Sequence, residues 1–265
     1  MHPKPSALRA FTLAEIMVVM TIFGFVMAGA LPFFIMNLKS QFVGEQKLLI
    51  NGDIRKVTNQ MVENAREANS FVIYQAFTAQ TRWDGAAETR DANGSGAVTI
   101  ADRLQNGSAG DLMVLVYYTD QYFDTRLYDS DATNNPTLGS GTVSRLVAYW
   151  VAPNRRLAGE YGVYMFDTDK YNPTGAATWT TSWGVTFPAT LSSTVTLETL
   201  LPPATTAYSQ ATEFPILIHN ISGLSNGYAF FNYQNKSIIT RAKILHGNLA
   251  KRVTNTYNFT ITPRG

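Results

Sequence analysis

The chain has 265 residues, 45% of them hydrophobic and 15% charged, with a formal net charge of +2, 32 aromatic residues and no cysteine. That is enough apolar material for one large core or two modest ones, and it excludes disulfide scaffolds, thiol chemistry and zinc sites built on Cys. A mean hydropathy of −0.06 argues against a multi-span membrane protein. Three scattered histidines (His2, His219, His246) and a balance of 21 basic to 19 acidic residues give no ground for a His-rich metal site or for nucleic-acid binding.

Residues 1–10 carry Lys4 and Arg9, contain Pro3 and Pro5, and read as a short basic leader. From Phe11 to Met36, 20 of 26 residues are apolar, and the 23 residues from Ile16 to Leu38 include no charged side chain. A helix of that length rises roughly 35 Å, enough to cross a hydrocarbon core of about 30 Å. The alternative is an ordinary secretory signal peptide. Against it, the apolar run exceeds a signal core of about 7 to 15 residues, and the small residue that could mark cleavage, Ala10, stands before the run. Charge alone does not orient the span, because Lys39 and Lys47 follow it as closely as Lys4 and Arg9 precede it.

The junction reads Ala10-Phe11-Thr12-Leu13-Ala14-Glu15. A basic leader, a small residue, Phe-Thr-Leu-x-Glu and then a long apolar helix resemble the class III signal of type IV prepilins and type II secretion pseudopilins. One departure is Ala10, where the family usually has glycine. The resemblance implies cleavage between Ala10 and Phe11 and N-methylation of Phe11 by a prepilin peptidase/methyltransferase. It also implies a helix distortion at Pro32, and Thr12 and Leu13 belong to the motif. The implied protein is single-pass in the bacterial inner membrane, with a cytoplasmic N-terminus and a periplasmic or extracytoplasmic head. Its partners would be the lipid bilayer, an inner-membrane assembly platform and other pilin or pseudopilin subunits met through the N-terminal helix.

A carboxylate in a membrane helix costs a few kcal/mol when charged and deep in the hydrocarbon, about 3 kcal/mol at the helix centre. Glu15 lies one turn after Phe11 on the same face, where the helix dipole favours negative charge. The resemblance assigns it to pairing with the N-terminal amine of a neighbouring subunit. The plainer alternative is an interfacial Glu that snorkels to the headgroups.

Beyond residue 38 the same helix is predicted to continue to about Asn69. Phe42, Leu49, Ile50, Ile54, Val57, Met61, Ala65 and Ala68 form one apolar stripe among charged residues. Pro32 is expected to kink the helix or melt a turn. The predicted organisation is therefore α+β: a leader (1–10), a transmembrane and assembly half-helix (11–38), an amphipathic half-helix (39–70) and an antiparallel β-rich head (71–265). Predicted strands are Phe71 to Phe77, Leu112 to Tyr118, Val143 to Val151, Gly162 to Phe166, Phe214 to Ile221, Tyr228 to Tyr233, Ser237 to Ile244 and Tyr257 to Thr262. Asn226-Gly227 signals a hairpin between the fifth and sixth strands, and Asn235-Lys236 a turn after the sixth. A short helix is predicted over Thr194 to Leu200. The segments 78–110, 119–142 and 167–193 exceed ordinary hairpin loops and are expected to be surface insertions.

The head's chain order is similar to that of the larger, J-type (W-type) minor subunits of this family. The fragments that carry this are Gly110 to Val114, Ser144 to Val151 with Arg156-Leu157, Ile216 to Gly223 leading to Phe230-Phe231-Asn232-Tyr233, and Thr262-Pro263-Arg264. No enzyme is expected. Gly223-Leu224-Ser225-Asn226-Gly227 matches a nucleophile pattern, but no Asp or Glu stands between Ser225 and His246, and a hairpin is not the strand-to-helix elbow this chemistry needs. No cofactor is expected either. Asp129 and Asp131 are weak calcium candidates, because Asn134 replaces the turn glycine and Ser140 the bidentate glutamate. Trp179 and Trp183 are read as loop anchors, with sugar stacking as the alternative. Arg155-Arg156 and Lys251-Arg252 are too small for a DNA surface. Two functions stand: a structural minor pilin or pseudopilin that initiates or caps a filament, or an adhesin or binding module displayed on one.

Overall fold

In the computed structural model of the protein, residues 11–119, 141–172, 174–192, 194–222, 229–235, 237–246 and 253–262 are described. The chain falls into two units, with the division between Leu48 and Leu49, inside the first helix. That helix, α1, spans Leu13–Glu67. Pro32 lies within it, and no residue on either side leaves the helical state, so the melted turn expected there is absent. A proline forfeits one N–H···O bond while the bonds of the neighbouring turns persist.

In the second unit, Ile50, Val57, Met61 and Ala65 of α1 are buried, as is Ala68 just beyond it, following the predicted stripe. Leu49 departs from it and stays exposed, because it sits one residue, about 100°, off the line through Ile50 and Val57. Asn64 is buried in the same stripe, where its side-chain amide donates to Tyr149 Oη at 2.6 Å and its main-chain carbonyl accepts from Tyr117 Oη at 2.6 Å.

The strands in chain order are β1 (Ser70–Tyr74), β2 (Gln80–Thr81), β3 (Ala87–Glu88), β4 (Ala109–Gly110), β5 (Leu112–Tyr118), β6 (Thr142–Pro153), β7 (Tyr161–Asp167), β8 (Trp179–Thr180), β9 (Thr186–Phe187), β10 (Ala189–Thr190), β11 (Ile216–Ser222), β12 (Phe231–Gln234), β13 (Ser237–His246) and β14 (Val253–Ile261). Two short helices, α2 (Leu197–Leu200) and α3 (Thr206–Ser209), precede β11. Ten strands form one antiparallel sheet in the order β1-β5-β6-β7-β11-β13-β12-β4, with β10 added on β6 and β14 on β13; β2-β3 and β8-β9 are separate hairpins.

Both faces of the sheet are covered. Met113, Leu115, Tyr117, Val147, Tyr149 and Val151 share a core with the α1 stripe. The alternate residues Leu112, Val114, Val116, Leu146, Ala148 and Trp150 share a second core with Phe77, Phe187, Leu191, Leu197 and Phe214. The segment 167–193 is thus not a surface insertion as expected, since it lays Phe187 and Leu191 on the sheet. Two-sided burial explains why β5 reads as an uninterrupted apolar run rather than an alternating one.

The Asn226-Gly227 signal does not produce a hairpin between its flanking strands. Ile239 of β13 pairs with Asn232 of β12 and Thr260 of β14, while Ile244 pairs with Ile221 of β11 and Asn255 of β14. β14 therefore takes one side of β13, and β11 and β12 follow each other in the same direction along the other. Residues 223–228 themselves lie outside the described residues. The Asn235 turn does form, with φ of 45° at Asn235 and Gln234 paired to Ser237. β14 begins four residues earlier than predicted because only Val253, Tyr257 and Ile261 of its inward row are fully buried, which blurs the alternation.

β6 and β7 form a hairpin that ends in residues 154–160. Past its tip, the chain leading into β5 and the chain following β11 meet directly, with Phe231 paired to Gly110. Gly110 is required here, as a Cβ would lie 2.1 Å from the Tyr74 carbonyl oxygen. Asp111 sits where the sheet divides: its carbonyl accepts from Val151 N at 2.9 Å and its carboxylate from Phe230 N at 2.7 Å.

Candidate assembly site and buried charges of the head

Thr12 and Glu15 form a reciprocal cap at the start of α1. The Thr12 N–H and hydroxyl donate to Glu15 Oε2 at 2.9 and 3.0 Å, and the Glu15 N–H donates to Thr12 Oγ1 at 3.3 Å. This is a capping box, which satisfies main-chain donors that a helix start leaves free. The first main-chain bond runs from Ile16 N to Thr12 O. Phe11, 80% exposed, precedes the helix and Leu13 opens it. Ala10 lies outside the described residues, so the Ala10–Phe11 junction is seen only from its Phe11 side. From Phe11 to Leu38 no side chain is buried, and the best 18-residue window of the helix has a mean hydropathy of 2.3. By length and composition this helix can cross a membrane.

Other residues singled out in the sequence are dispersed. Asp129 and Asp131, Gly223 to Gly227, and Lys251-Arg252 lie outside the described residues. His219 is exposed on β11; burial and Arg156 lower its pKa. His246, at the end of β13, meets Asp53 of α1 at 3.1 Å. His246 and Asp53 both bear electrostatically on His219, but among the described residues no group of three His, Asp or Glu side chains could hold a metal ion. The Trp179 and Trp183 indoles donate to the Thr168 and Leu200 carbonyls, each at 3.0 Å, and both rings pack on the second core, as loop anchors do. Arg155 is held by the main-chain carbonyls of Gln210, Ala211 and Phe214 rather than displayed.

Charged residues that sequence reading passed over lie inside the head. Glu198 of α2 accepts from Tyr74 Oη at 2.8 Å and pairs with Arg103 at 2.6 Å, and its side chain is 1% exposed. Burial opposes its ionisation, but Arg103 and the Tyr74 hydroxyl outweigh that and hold its carboxyl below the usual range. At the sheet's division, Glu88 accepts from Arg82 at 3.0 Å beside Asp111. Burial, then the Glu88 carboxylate, push Asp111 well above the usual carboxylate range, and burial raises Glu88 too. Arg145 ties the end of α1 to the sheet, reaching Asp167 at 2.6 Å, Asp169 at 3.3 Å and Glu67 at 3.6 Å. The partners in these groups are up to 124 residues apart in sequence, so no local pattern announces them.

Residues 7–31 match the family described as the prokaryotic N-terminal methylation motif. Neither the curated proteins nor the solved structures compared with this chain include a match. The motif belongs to structural rather than catalytic proteins, implies assembly with other pilin subunits and recognition by the prepilin peptidase, and with its apolar helix fits a single-pass inner-membrane protein. A methylation motif opening a 55-residue helix, followed in sequence by an antiparallel β-rich head, supports a type IV pilin- or pseudopilin-like subunit.

Proposed function

We propose that the protein is a minor pilin or pseudopilin of the larger, J-type or W-type kind, a structural subunit without enzymatic activity that initiates or caps a filament. In this reading the leader is removed after Ala10, Phe11 is N-methylated, and Glu15 receives the new amine of a neighbouring subunit as the helix leaves the bilayer for the filament. The observation that carries it is the methylation motif at 7–31. The local geometry agrees with the assigned role of Glu15. Both Thr12 donors fall on Oε2, which leaves Oε1 to accept from an incoming amine. A carboxylate that already caps its own helix is less costly to hold at the edge of the hydrocarbon than a free one.

The test is Glu15→Val, expressed with the cognate filament machinery. Membrane fractionation and N-terminal sequencing should find a cleaved, membrane-anchored protein, while recovery in sheared filaments or crosslinks to other subunits falls at least about tenfold, the loss of about 1.4 kcal/mol or more of pairing free energy. Unchanged incorporation would remove the assembly role of Glu15.

A further inference from the structure

Residues Asp91–Asp102 read Asp-Ala-Asn-Gly-Ser-Gly-Ala-Val-Thr-Ile-Ala-Asp. A twelve-residue calcium loop of the EF-hand kind draws oxygen ligands from positions 1, 3, 5, 9 and 12 and from the main-chain carbonyl at 7, with glycine at 6 for the sharp turn. Here those positions hold Asp91, Asn93, Ser95, Thr99, Asp102, the Ala97 carbonyl and Gly96. Every liganding position offers oxygen, and the only departure is Asp for Glu at the last. The Asp129 loop, considered for calcium above, lacks both the glycine and an acid at the last position.

The fold of the segment agrees with the pattern. Gly94 and Gly96 adopt φ of 65° and 82°, and Asp91 accepts from Ser95 N at 3.0 Å and Gly96 N at 2.6 Å, which folds the loop around its first carboxylate. Ser95 Oγ lies 3.3 Å from Asp91 Oδ1 and 2.6 Å from the Ala97 carbonyl oxygen. The Asn93 side chain lies 2.9 Å from Asp102 Oδ1, and Thr99 Oγ1 3.0 Å from Asp102 Oδ2.

Charge supplies an argument independent of the loop's geometry. Asp102 is 1% exposed, and among the described residues neither it nor Asp91 has a cationic side chain within ion-pair distance. The two arginines that flank the loop are turned elsewhere: Arg90 donates to the Phe77 and Pro202 carbonyls, and Arg103 pairs with Glu198. The two carboxylates of the loop thus have hydrogen-bond donors but no cationic partner: the Asn93 and Thr99 N–H groups meet the Asp102 oxygens at 3.0 and 2.7 Å, and a bound cation would supply the opposite charge that these donors do not.

We propose that Asp91–Asp102 is a calcium-binding loop of the head. A main-chain carbonyl, hydroxyls and an amide beside two carboxylates form the flexible all-oxygen set that suits Ca²⁺, whereas Mg²⁺ demands a near-ideal octahedron and dehydrates reluctantly. Binding requires the Ser95 hydroxyl and the Asn93 amide to turn their oxygens towards the ion, and the Asp102 carboxylate to share its oxygens between the ion and the Asn93 and Thr99 N–H groups. Asn93, Ser95, Ala97 and Thr99 are exposed, so the ion has direct access. With two charges, and an Asp that reaches one methylene less far than Glu, the dissociation constant falls on the order of 10⁻⁴–10⁻³ M, the range of extracellular modules.

The experiment uses the full chain in detergent, stripped with chelator and titrated with CaCl₂ or MgCl₂, followed by calorimetry and by the thermal unfolding midpoint. One calcium per chain is expected, with a midpoint that climbs with calcium as ligand linkage requires and responds at least about tenfold more weakly to magnesium. Asp91→Asn should weaken binding at least about tenfold. Ser95→Asp, which adds a charged ligand at position 5, should tighten it about tenfold, a gain that a merely structural loop has no means to produce. No calcium response at about 10 mM, well above the expected range, overturns the proposal. So does calcium binding that survives Asp91→Asn, ignores Ser95→Asp, and is lost in Asp129→Asn with Asp131→Asn.

Discussion

No residue from Phe11 to Leu49 is buried, whereas from Ile50 onward apolar side chains fill two cores. The two regions draw on the same residue types, Phe, Ile, Leu, Val and Met. What separates them is how the backbone is satisfied. The first region is a helix, which pairs its main-chain groups within itself and so can leave every side chain to a lipid or protein surround, as a membrane-crossing segment must. The second is built on a sheet, whose main-chain groups are paired across strands, and it is stable because apolar layers, the end of α1 among them, cover both of its faces. The apolar residues of the first region therefore contribute to where the chain resides, and those of the second to whether it folds.

The widest separation between the two should appear on truncating one aromatic in each. Trp150 is fully buried, with ring centroids 4.6 Å from Phe77, 5.3 Å from Phe214 and 5.7 Å from Tyr164. Trp150→Ala should cost the head about 4 kcal/mol, read from urea unfolding in detergent by near-ultraviolet circular dichroism. Phe25→Ala, at a position 76% exposed, should change the same transition by less than about 0.5 kcal/mol. Equal losses would break the distinction.

The same contrast explains what was legible in the sequence. The helix and the bounds of β5 from Leu112 to Tyr118 are local patterns; the structure has the helix over Leu13–Glu67, within two residues of its predicted ends, and β5 at the predicted bounds, and the motif, also local, is matched as a family at residues 7–31. The path of β11 and β12 was not legible, because an Asn-Gly pair reports a local bend while the pairing of both strands with β13 is decided by the sheet. The second core was missed for a related reason. Phe187, Leu191 and Leu197 sit among Thr, Ser and Pro with no period of 2 or 3.6, so nothing local marks them as covering Leu112 and Trp150. The stripe of α1 was readable to within one residue, and its error at Leu49 is one of angle.

Two carboxylates sharpen the comparison at the next level of effect. Glu15 is exposed and answered by its own first turn, while Glu198 is buried and answered by Tyr74 and Arg103, far away in sequence. Glu198→Ala leaves the Arg103 guanidinium buried without its counter-ion and should cost about 3 kcal/mol in the same unfolding measurement. Glu15→Ala should leave that transition in place. A head unaffected by Glu198→Ala would mean that water reaches Arg103 and that the second core is more open than its burial indicates.

The smallest expected effect concerns pH and separates the buried acids from each other. Glu198 is held below the usual range, but Asp111 is held well above it by burial and by the adjacent Glu88, with Arg82 on the far side of Glu88. A carboxyl whose pKa is raised on folding binds its proton more tightly in the native state than in the unfolded chain. Its stabilising contribution is complete below the unfolded value of 3.8 and is lost as pH rises through the native value. Asp111→Asn keeps the acceptor for Phe230 N–H, cannot ionise, and turns an amide donor towards the Glu88 carboxylate. Where the wild-type Asp111 is ionised, the variant should be more stable by about 1 kcal/mol, the net worth of one added hydrogen bond. Its unfolding midpoint should also fall less than the wild type's as pH rises through the native Asp111 value. Parallel profiles for the two proteins would mean that Asp111 carries the same charge folded and unfolded. The division of the sheet at Gly110-Asp111 would then rest on the Phe231–Gly110 pairing and the close approach of Gly110 to Tyr74, with no contribution from a shared proton.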